Sequence, residues 1–123
     1  MSVWFVNEGG SAELTGDNFT ITVWNCYESS YPGETYETQC DKINRLLAGE
    51  RDLTATFSNC DGESEFTIDS DGIFRLTGGR ADPPFGSSMS IFCDYESNKE
   101  ELDKFMRYML TCFDDGENGE NKE

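Results

Sequence analysis

The sequence predicts a single α+β domain in which an antiparallel sheet of about five to six strands carries two helices. Alternating apolar and polar residues mark several short strands, two segments repeat apolar residues at helical spacing, and tight turns separate consecutive strands. Strands joined by such turns pair in antiparallel fashion, which favours α+β over a parallel α/β sheet. The 123 residues suffice for one core, since a chain of this length buries roughly two-thirds of its unfolded surface.

The first third of the chain contains extended segments and one loop. Strands are predicted at residues 2–7 and 11–14, with a Gly-Gly turn between them. Residues 17–26 carry the clearest strand pattern, because apolar side chains alternate there with threonines. Residues 27–34 contain a Pro-Gly pair and are predicted to form a loop.

A helix is predicted for Tyr36–Ala48. Cys40, Ile43 and Leu47 recur there at helical spacing, which places them on one face. Gly49 follows the last of these residues and is a natural position for the end of the helix.

Four more strands are predicted downstream, at residues 52–59, 63–69, 73–76 and 88–94. Turns that contain Asp and Gly separate the first three of them, as in consecutive hairpins. Residues 78–87 combine a Gly pair with a Pro-Pro sequence that cannot join a central ladder, so this segment is predicted to be a loop.

The last helix has the strongest local signal. Ser97 and Glu100 form a capping-box pattern, and an apolar stripe follows as far as Phe113. We interpret the stripe as the face packed on the sheet, with a groove-binding face for a partner as the alternative. The domain is thus predicted to span residues 1–113, and residues 114–123 are predicted to be a disordered acidic tail.

The charge is strongly negative and unevenly distributed. Asp and Glu total 25 against nine Lys and Arg, so the formal net charge is −16, whereas a magnitude of about 2 to 8 is typical of a small domain. Residues 1–41 and 52–74 contain no Lys or Arg. Such a surface repels phosphates and anionic lipids, which disfavours direct binding of nucleic acid or membranes. Salt adaptation and a merely solvated acidic surface are alternatives, but neither explains whole segments without cations.

No combination of residues predicts catalysis. The chain has no His, so Ser-His-Asp and Cys-His arrangements are impossible and the commonest metal ligand is missing. The Gly pairs lack the Lys of a phosphate-binding loop. Residues 69–72 begin like a calcium loop, but a strand pattern follows where the closing Glu would stand. We therefore predict that the protein is not an enzyme and has no catalytic residues, cofactor or metal site.

The cysteines indicate a reducing compartment. The five of them are odd in number and contain no Cys-x-x-Cys pair; they are Cys26, Cys40, Cys60, Cys93 and Cys112. We interpret them as reduced side chains that act as small hydrophobes in the core. The N-terminal segment lacks the cationic and apolar regions of a signal peptide, and no apolar stretch approaches the roughly 18 residues of a membrane helix. The predicted location is the cytoplasm of a bacterial host cell.

A partner-binding surface is predicted within the cation-free segment 52–74. Its acids fall on two turns and the strand between them, where alternate side chains share one face. Same-face neighbours on a strand lie about 6.6 to 6.8 Å apart, close to two steps along one nucleic-acid strand. Three aromatic residues in the predicted loops are interpreted as interface anchors. The alternative is that their side chains pack against the edge of the domain. The predicted contact residues are Asp61, Glu63, Glu65, Asp69, Asp71, Tyr27, Tyr31 and Phe85.

This profile resembles, at the level of class, small acidic inhibitors that occupy nucleic-acid-binding sites. Phage proteins that disarm bacterial defence complexes, including CRISPR effectors, belong to that class. The resemblance rests on size, charge and the absence of catalytic residues, and it implies a basic partner such as a nucleic-acid-binding or nuclease complex. We therefore predict a phage anti-defence or anti-CRISPR-like decoy that mimics DNA. An immunity protein that neutralises a basic nuclease toxin and a non-inhibitory acidic adaptor are the alternatives.

Overall fold

A computed structural model gives the fold and describes residues 2–9, 11–17, 20–24, 27–28, 38–59, 62–79 and 88–121. The strands among these residues are β1 (Trp4–Glu8), β2 (Ser11–Thr15), β3 (Thr20–Trp24), β4 (Tyr27–Glu28), β5 (Leu53–Asn59), β6 (Gly62–Ile68), β7 (Ile73–Gly79) and β8 (Ser88–Asp94). The helices are α1 (Gln39–Leu47) and α2 (Lys99–Asn121), and a 3-10 turn (Glu96–Asn98) leads into α2.

The α+β class is confirmed, but the strands divide into two sheets where the sequence predicts one. β1, β2 and β3 form the small sheet, and β5 to β8 form the large sheet, with the two-residue β4 added at the edge of β5. All described pairs are antiparallel. The sequence pattern misses the division because alternation reports which face of a strand is buried and not which strands pair.

Two loop predictions are corrected by the strand bounds. β4 begins at Tyr27, inside the predicted loop, and pairs with β5. β7 includes Gly78 and Gly79, which were predicted to begin the loop that follows. A Cβ atom at Gly78 would overlap Ser64 Oγ on the neighbouring strand. The glycine therefore permits close approach within the sheet and does not mark a turn. The remainder of both predicted loops, 29–34 and 80–87, lies outside the described residues.

Helix α1 is shorter than predicted because its N-cap is Thr38. The Thr38 hydroxyl accepts a hydrogen bond from the Asp41 amide at 3.2 Å, which satisfies a free donor of the first turn. Buried Gln39 accepts a hydrogen bond from the Thr56 amide at 2.9 Å and so joins α1 to β5. Gly49 has a φ of +113°, which confirms the predicted glycine after the helix.

The start of α2 differs from the capping-box prediction. Asp94 Oδ2 accepts hydrogen bonds from both the amide and the hydroxyl of Ser97, each at 2.9 Å. Ser97 therefore acts as a donor in the 3-10 turn, and the carboxylate at the end of β8 takes the capping role. At its other end α2 does not stop at Phe113 but continues to Asn121, into the segment predicted to be a tail.

One hydrophobic cluster contains residues of both sheets and both helices. Phe105 on α2 lies at its centre, with ring centroids 5.4 to 6.5 Å from Phe5 of the small sheet and from Phe57, Phe66 and Phe74 of the large sheet. The apolar stripe of α2 is thus the face that packs on the sheets, as the sequence predicts. On the opposite face of the large sheet, Glu63, Glu65 and Arg75 are exposed, while Thr56 and Ser58 of β5 are buried.

Candidate partner-binding surface

The outer face of the large sheet is mostly polar because apolar and polar residues alternate along most of its strands. Phe57, Phe66 and Phe74 occupy the inner face, so the intervening positions point outward. Strand register places these outward residues in rows across the sheet. The outer face comprises Thr54, Thr56 and Ser58 of β5, Glu63, Glu65 and Thr67 of β6, Arg75 and Thr77 of β7, and Ser90 and Phe92 of β8.

Glu63 and Glu65 form an acidic pair on this face. Both are exposed, and they stand two residues apart on β6, a spacing of about 6.6 to 6.8 Å. Glu63 accepts a hydrogen bond from the Ser58 hydroxyl at 3.3 Å. β6 pairs with a strand on each side, so its backbone holds the two carboxylates in fixed positions. This part of the predicted surface is present as a rigid feature.

Asp69 serves the turn between β6 and β7. Its Oδ1 accepts hydrogen bonds from the amides of Asp71 (3.0 Å) and Ile73 (3.1 Å), and its Oδ2 lies 3.1 Å from Arg75 Nη2. The hydrogen bond from Ile73 is the main cause that lowers the pKa of Asp69, and the Arg75 bond lowers it further. Because Arg75 neutralises this carboxylate, Asp69 contributes little negative charge to the surface. Asp71 stays exposed on the same turn.

The remaining predicted contact residues are only partly covered by the structure. Asp61, Tyr31 and Phe85 lie outside the described residues. The backbone of Tyr27 belongs to β4 and stands opposite Ser58 in register. That position places Tyr27 in the strand beside the residue whose hydroxyl contacts Glu63. The structure therefore brings Tyr27, Glu63 and Glu65 into one region and sets Asp71 apart at the other end of β6.

Several cations are engaged by carboxylates other than this acidic pair. Four such ion pairs join Arg45 to Glu50 (3.0 Å), Arg75 to Asp69 (3.1 Å), Lys99 to Asp103 (3.3 Å) and Lys104 to Glu100 (3.8 Å). The hydrogen bond between Arg45 and Glu50 raises the pKa of Arg45 and lowers that of Glu50. By contrast, Glu13, Glu65 and Asp71 make no ion pair within the described part of the chain. Their negative charge is therefore not neutralised locally.

A second exposed surface, which the sequence analysis does not single out, lies on the small sheet. Trp4 and Val6 of β1 are 67% and 45% exposed, while Phe5 between them packs on Phe105 and Tyr108. The signal is visible in the unbroken apolar run of residues 3–6. A strand with apolar side chains on both faces leaves one of those faces exposed unless a second layer covers it.

Comparison with protein-family models, with curated proteins and with solved structures finds no match to this chain. Within the described ranges, no group of three or more Cys, Asp or Glu side chains is arranged to hold a metal ion. No helix in the same ranges is long and apolar enough to cross a membrane. The two exposed surfaces and the net charge are therefore the features that bear on function.

Proposed function

We propose that this protein binds and inhibits a basic, nucleic-acid-binding protein by presenting a negative surface in place of nucleic acid. In this role the protein would act as a phage anti-defence or anti-CRISPR-like decoy that mimics DNA. The observation that carries it is the exposed pair Glu63 and Glu65, held on an inner strand of the large sheet while nearby Arg75 is bound by Asp69. Net charge supplies the long-range attraction, and the pair supplies local contacts.

Electrostatics supports a cationic partner. A net charge of −16 in 123 residues produces a field that attracts positively charged channels and speeds encounter with them. Four cations form ion pairs with carboxylates of the same chain: Arg45, Arg75, Lys99 and Lys104. Because their positive charge is compensated there, it does not offset the exposed carboxylates of the surface. The compact state bears the repulsion among its own acids, and a cationic partner relieves that repulsion on binding.

Geometry supports contacts that resemble those of a nucleic-acid backbone. Carboxylates about 6.6 to 6.8 Å apart on one strand match two phosphate steps along a single strand of nucleic acid. Because β6 is paired on both sides, little backbone entropy is lost when a partner orders these groups. Exposed Thr54 on neighbouring β5 adds a hydroxyl near the acidic pair, whereas Thr56 and Ser58 beside it are buried.

The test combines capture with charge reversal. The tagged protein is used to capture proteins from a bacterial lysate at about 50 and 200 mM salt, and the DNA binding or nuclease activity of the captured protein is then titrated with it. The variant E63K/E65K is compared with E96K/E101K, which carries the same charge change near the start of α2. Circular dichroism and thermal melting verify that both variants fold.

The proposal expects E63K/E65K to weaken binding and inhibition at least tenfold while E96K/E101K retains most of both. Equal losses in the two variants would mean that net charge alone drives binding. Competition between this protein and a DNA duplex for the same site identifies a decoy. Inhibition of a single nuclease toxin without such competition identifies an immunity protein instead, and capture without any inhibition identifies an adaptor.

A further inference from the structure

One side of β1 has unused backbone hydrogen-bonding groups. β1 pairs with β2, and no described strand pairs with its other side. Glu8 stands opposite Ser11 with two residues between them in the chain, which makes them a hydrogen-bonded pair, and by alternation Val6 lies in the next such pair. The amide and carbonyl groups of Phe5 and Asn7 therefore point away from β2. Within the described residues no hydrogen bond satisfies them.

The outer face of this edge strand is apolar at Trp4 and Val6 and ends in the exposed Glu8. Proteins usually guard an exposed edge with Lys, Pro or a bulge, because a free edge invites pairing with another chain. β1 contains none of these, and it exposes Trp4 and Val6. The exposed aromatic on β8 is different, since the Arg75 guanidinium lies 5.0 Å from the centre of the Phe92 ring. No described cation covers Trp4 in this way.

The surroundings of this edge are acidic. Val6, Glu13 and Thr22 form one row across the outer face of the small sheet, and both Glu13 and Thr22 are exposed. Residues 1–41 contain no Lys or Arg at all. Two copies of this chain, each with a net charge of −16, would repel one another at this edge. An occupant with positive charge is favoured instead.

We propose that the free edge of β1 binds an extended cationic segment of a partner protein as an added strand. Main-chain hydrogen bonds to Phe5 and Asn7 supply affinity, and alternate side chains of the added strand supply specificity. A Lys or Arg over Trp4 gains a cation–π contact. A Lys or Arg side chain of the added strand that extends across β1, over about 10 Å or two strand spacings, reaches Glu13. The inference shares only the cationic partner with the proposed function, because it concerns another surface and does not require inhibition.

The probe is a synthetic eight-residue peptide of alternating Lys and Val, labelled for fluorescence anisotropy. Two peptides serve as controls: the same peptide with alternate backbone amides methylated, which keeps the charge but cannot pair as a strand, and an alternating Glu-Val peptide. Hydrogen exchange of the Phe5 and Asn7 amides reports where the peptide binds. The protein variants are V6K and T22K, which make the same charge change on the same face of the small sheet.

We expect the Lys-Val peptide to bind and to slow exchange at Phe5 and Asn7. Methylation should weaken binding at least tenfold, the Glu-Val peptide should not bind, and V6K should weaken binding far more than T22K. Asn7→Pro removes an outward amide that β2 does not use, so it should also weaken binding in a folded protein. Equal binding of the methylated peptide, equal effects of V6K and T22K, or unprotected Phe5 and Asn7 amides would overturn the proposal. A dimer dispersed by V6K would assign this edge to a second copy.

These results separate the two proposals. Variant E63K/E65K leaves β1 unaltered, so a folded E63K/E65K protein should retain the protection of Phe5 and Asn7 by the Lys-Val peptide. If E63K/E65K loses inhibition but still binds the Lys-Val peptide, the acidic pair and the edge of β1 are two independent binding surfaces. Failure of peptide binding alone would reject the added strand and leave the role proposed for the acidic pair intact.

Discussion

At the residue scale, Tyr95, which directly follows β8, is the centre of a buried polar cluster. The ring is buried, and the hydroxyl donates a hydrogen bond to buried Asp103 at 2.6 Å and accepts one from Lys99 at 3.1 Å. Arg51 lies 5.0 Å from the centre of its ring. The cluster thus joins the α1–β5 connection, β8 and the first turns of α2. Its charges are satisfied within the fold, so we assign it a structural role.

The first prediction is that Tyr95→Phe destabilises the protein by about 1 to 3 kcal/mol, because Asp103 loses a buried hydrogen bond. A double-mutant cycle with Asp103→Ala, measured by chemical denaturation, isolates the interaction between the two side chains. Strict additivity of the two substitutions would show that the Tyr95–Asp103 hydrogen bond contributes nothing.

Tyr95 also determines how stability responds to alkali. Burial raises the pKa of the Tyr95 hydroxyl above its ordinary value, and the bond to Asp103 raises it further. The hydrogen bond to Tyr95 raises the pKa of Lys99 as well. Groups whose pKa is raised by folding stabilise fully below the unfolded value, and that contribution is lost as pH rises through the folded value. Wild-type stability should therefore fall above about pH 10, and it should fall less steeply in Tyr95→Phe.

The second prediction concerns Asp69 and acid. Because folding lowers the pKa of Asp69, its contribution is fully present above the ordinary Asp value of about 3.9 and is lost as pH falls through the folded value. Asp69→Asn should reduce the loss of stability between about pH 4 and 2, as followed by circular dichroism. Asp69→Ala, which also removes the acceptor for Ile73, should destabilise more than Asp69→Asn at pH 7. The reverse order at pH 7 would show that the carboxylate does not shape the turn.

At the scale of elements, α2 joins the two sheets through Phe105. Its ring contacts Phe5 of the small sheet and three phenylalanines of the large sheet, and it is fully buried. A void at this point would separate both sheets from the helix at once. The apolar face of α2, which the sequence pattern predicts, therefore joins the two sheets into one hydrophobic core.

The third prediction is that Phe105→Ala lowers the free energy of unfolding by about 3 to 5 kcal/mol, the usual cost of removing a buried Phe. Phe92→Ala is the matched control, since Phe92 is 46% exposed and contacts Arg75. Its cost should stay within about 1 kcal/mol. Denaturant titration measures both, and similar losses in the two variants would contradict the central position of Phe105.

At the scale of the whole molecule, net charge opposes folding. The fourth prediction is that added salt stabilises the protein, because screening weakens repulsion among acids that outnumber the bases by 16. Raising NaCl from about 10 to 100 mM shortens the screening length from about 30 to 10 Å. The melting temperature should rise by a few degrees, which corresponds to about 1 kcal/mol at this chain length. The less acidic E63K/E65K variant should respond less, and a fall in melting temperature would mean that attractive ion pairs dominate.

The state of the cysteine thiols is also a property of the whole molecule. Cys93 is a buried, free thiol, and Cys40 and Cys112 are half-buried. Burial raises the pKa of the Cys93 thiol to about 11, so this residue stays protonated and unreactive near neutral pH. Packing accounts for its presence in the core without a redox role.

The sequence by itself determined most of the strands, both helices and the positions of the turn residues Gly49 and Asp69–Gly72, because these depend on local backbone preferences and periodicity. It did not predict β4, the last two residues of β7 or the continuation of α2 beyond Phe113. It also determined the excess of acid, which fixes the sign of the surface field. Tertiary structure alone decided that the strands form two sheets, that Asp69 is neutralised by Arg75, and that Gly78 faces Ser64 inside a sheet. It also decided that Trp4 and Val6 stay exposed at a free edge. Each of these depends on how neighbouring elements are placed in the fold, and periodicity along one strand carries no information about its partner.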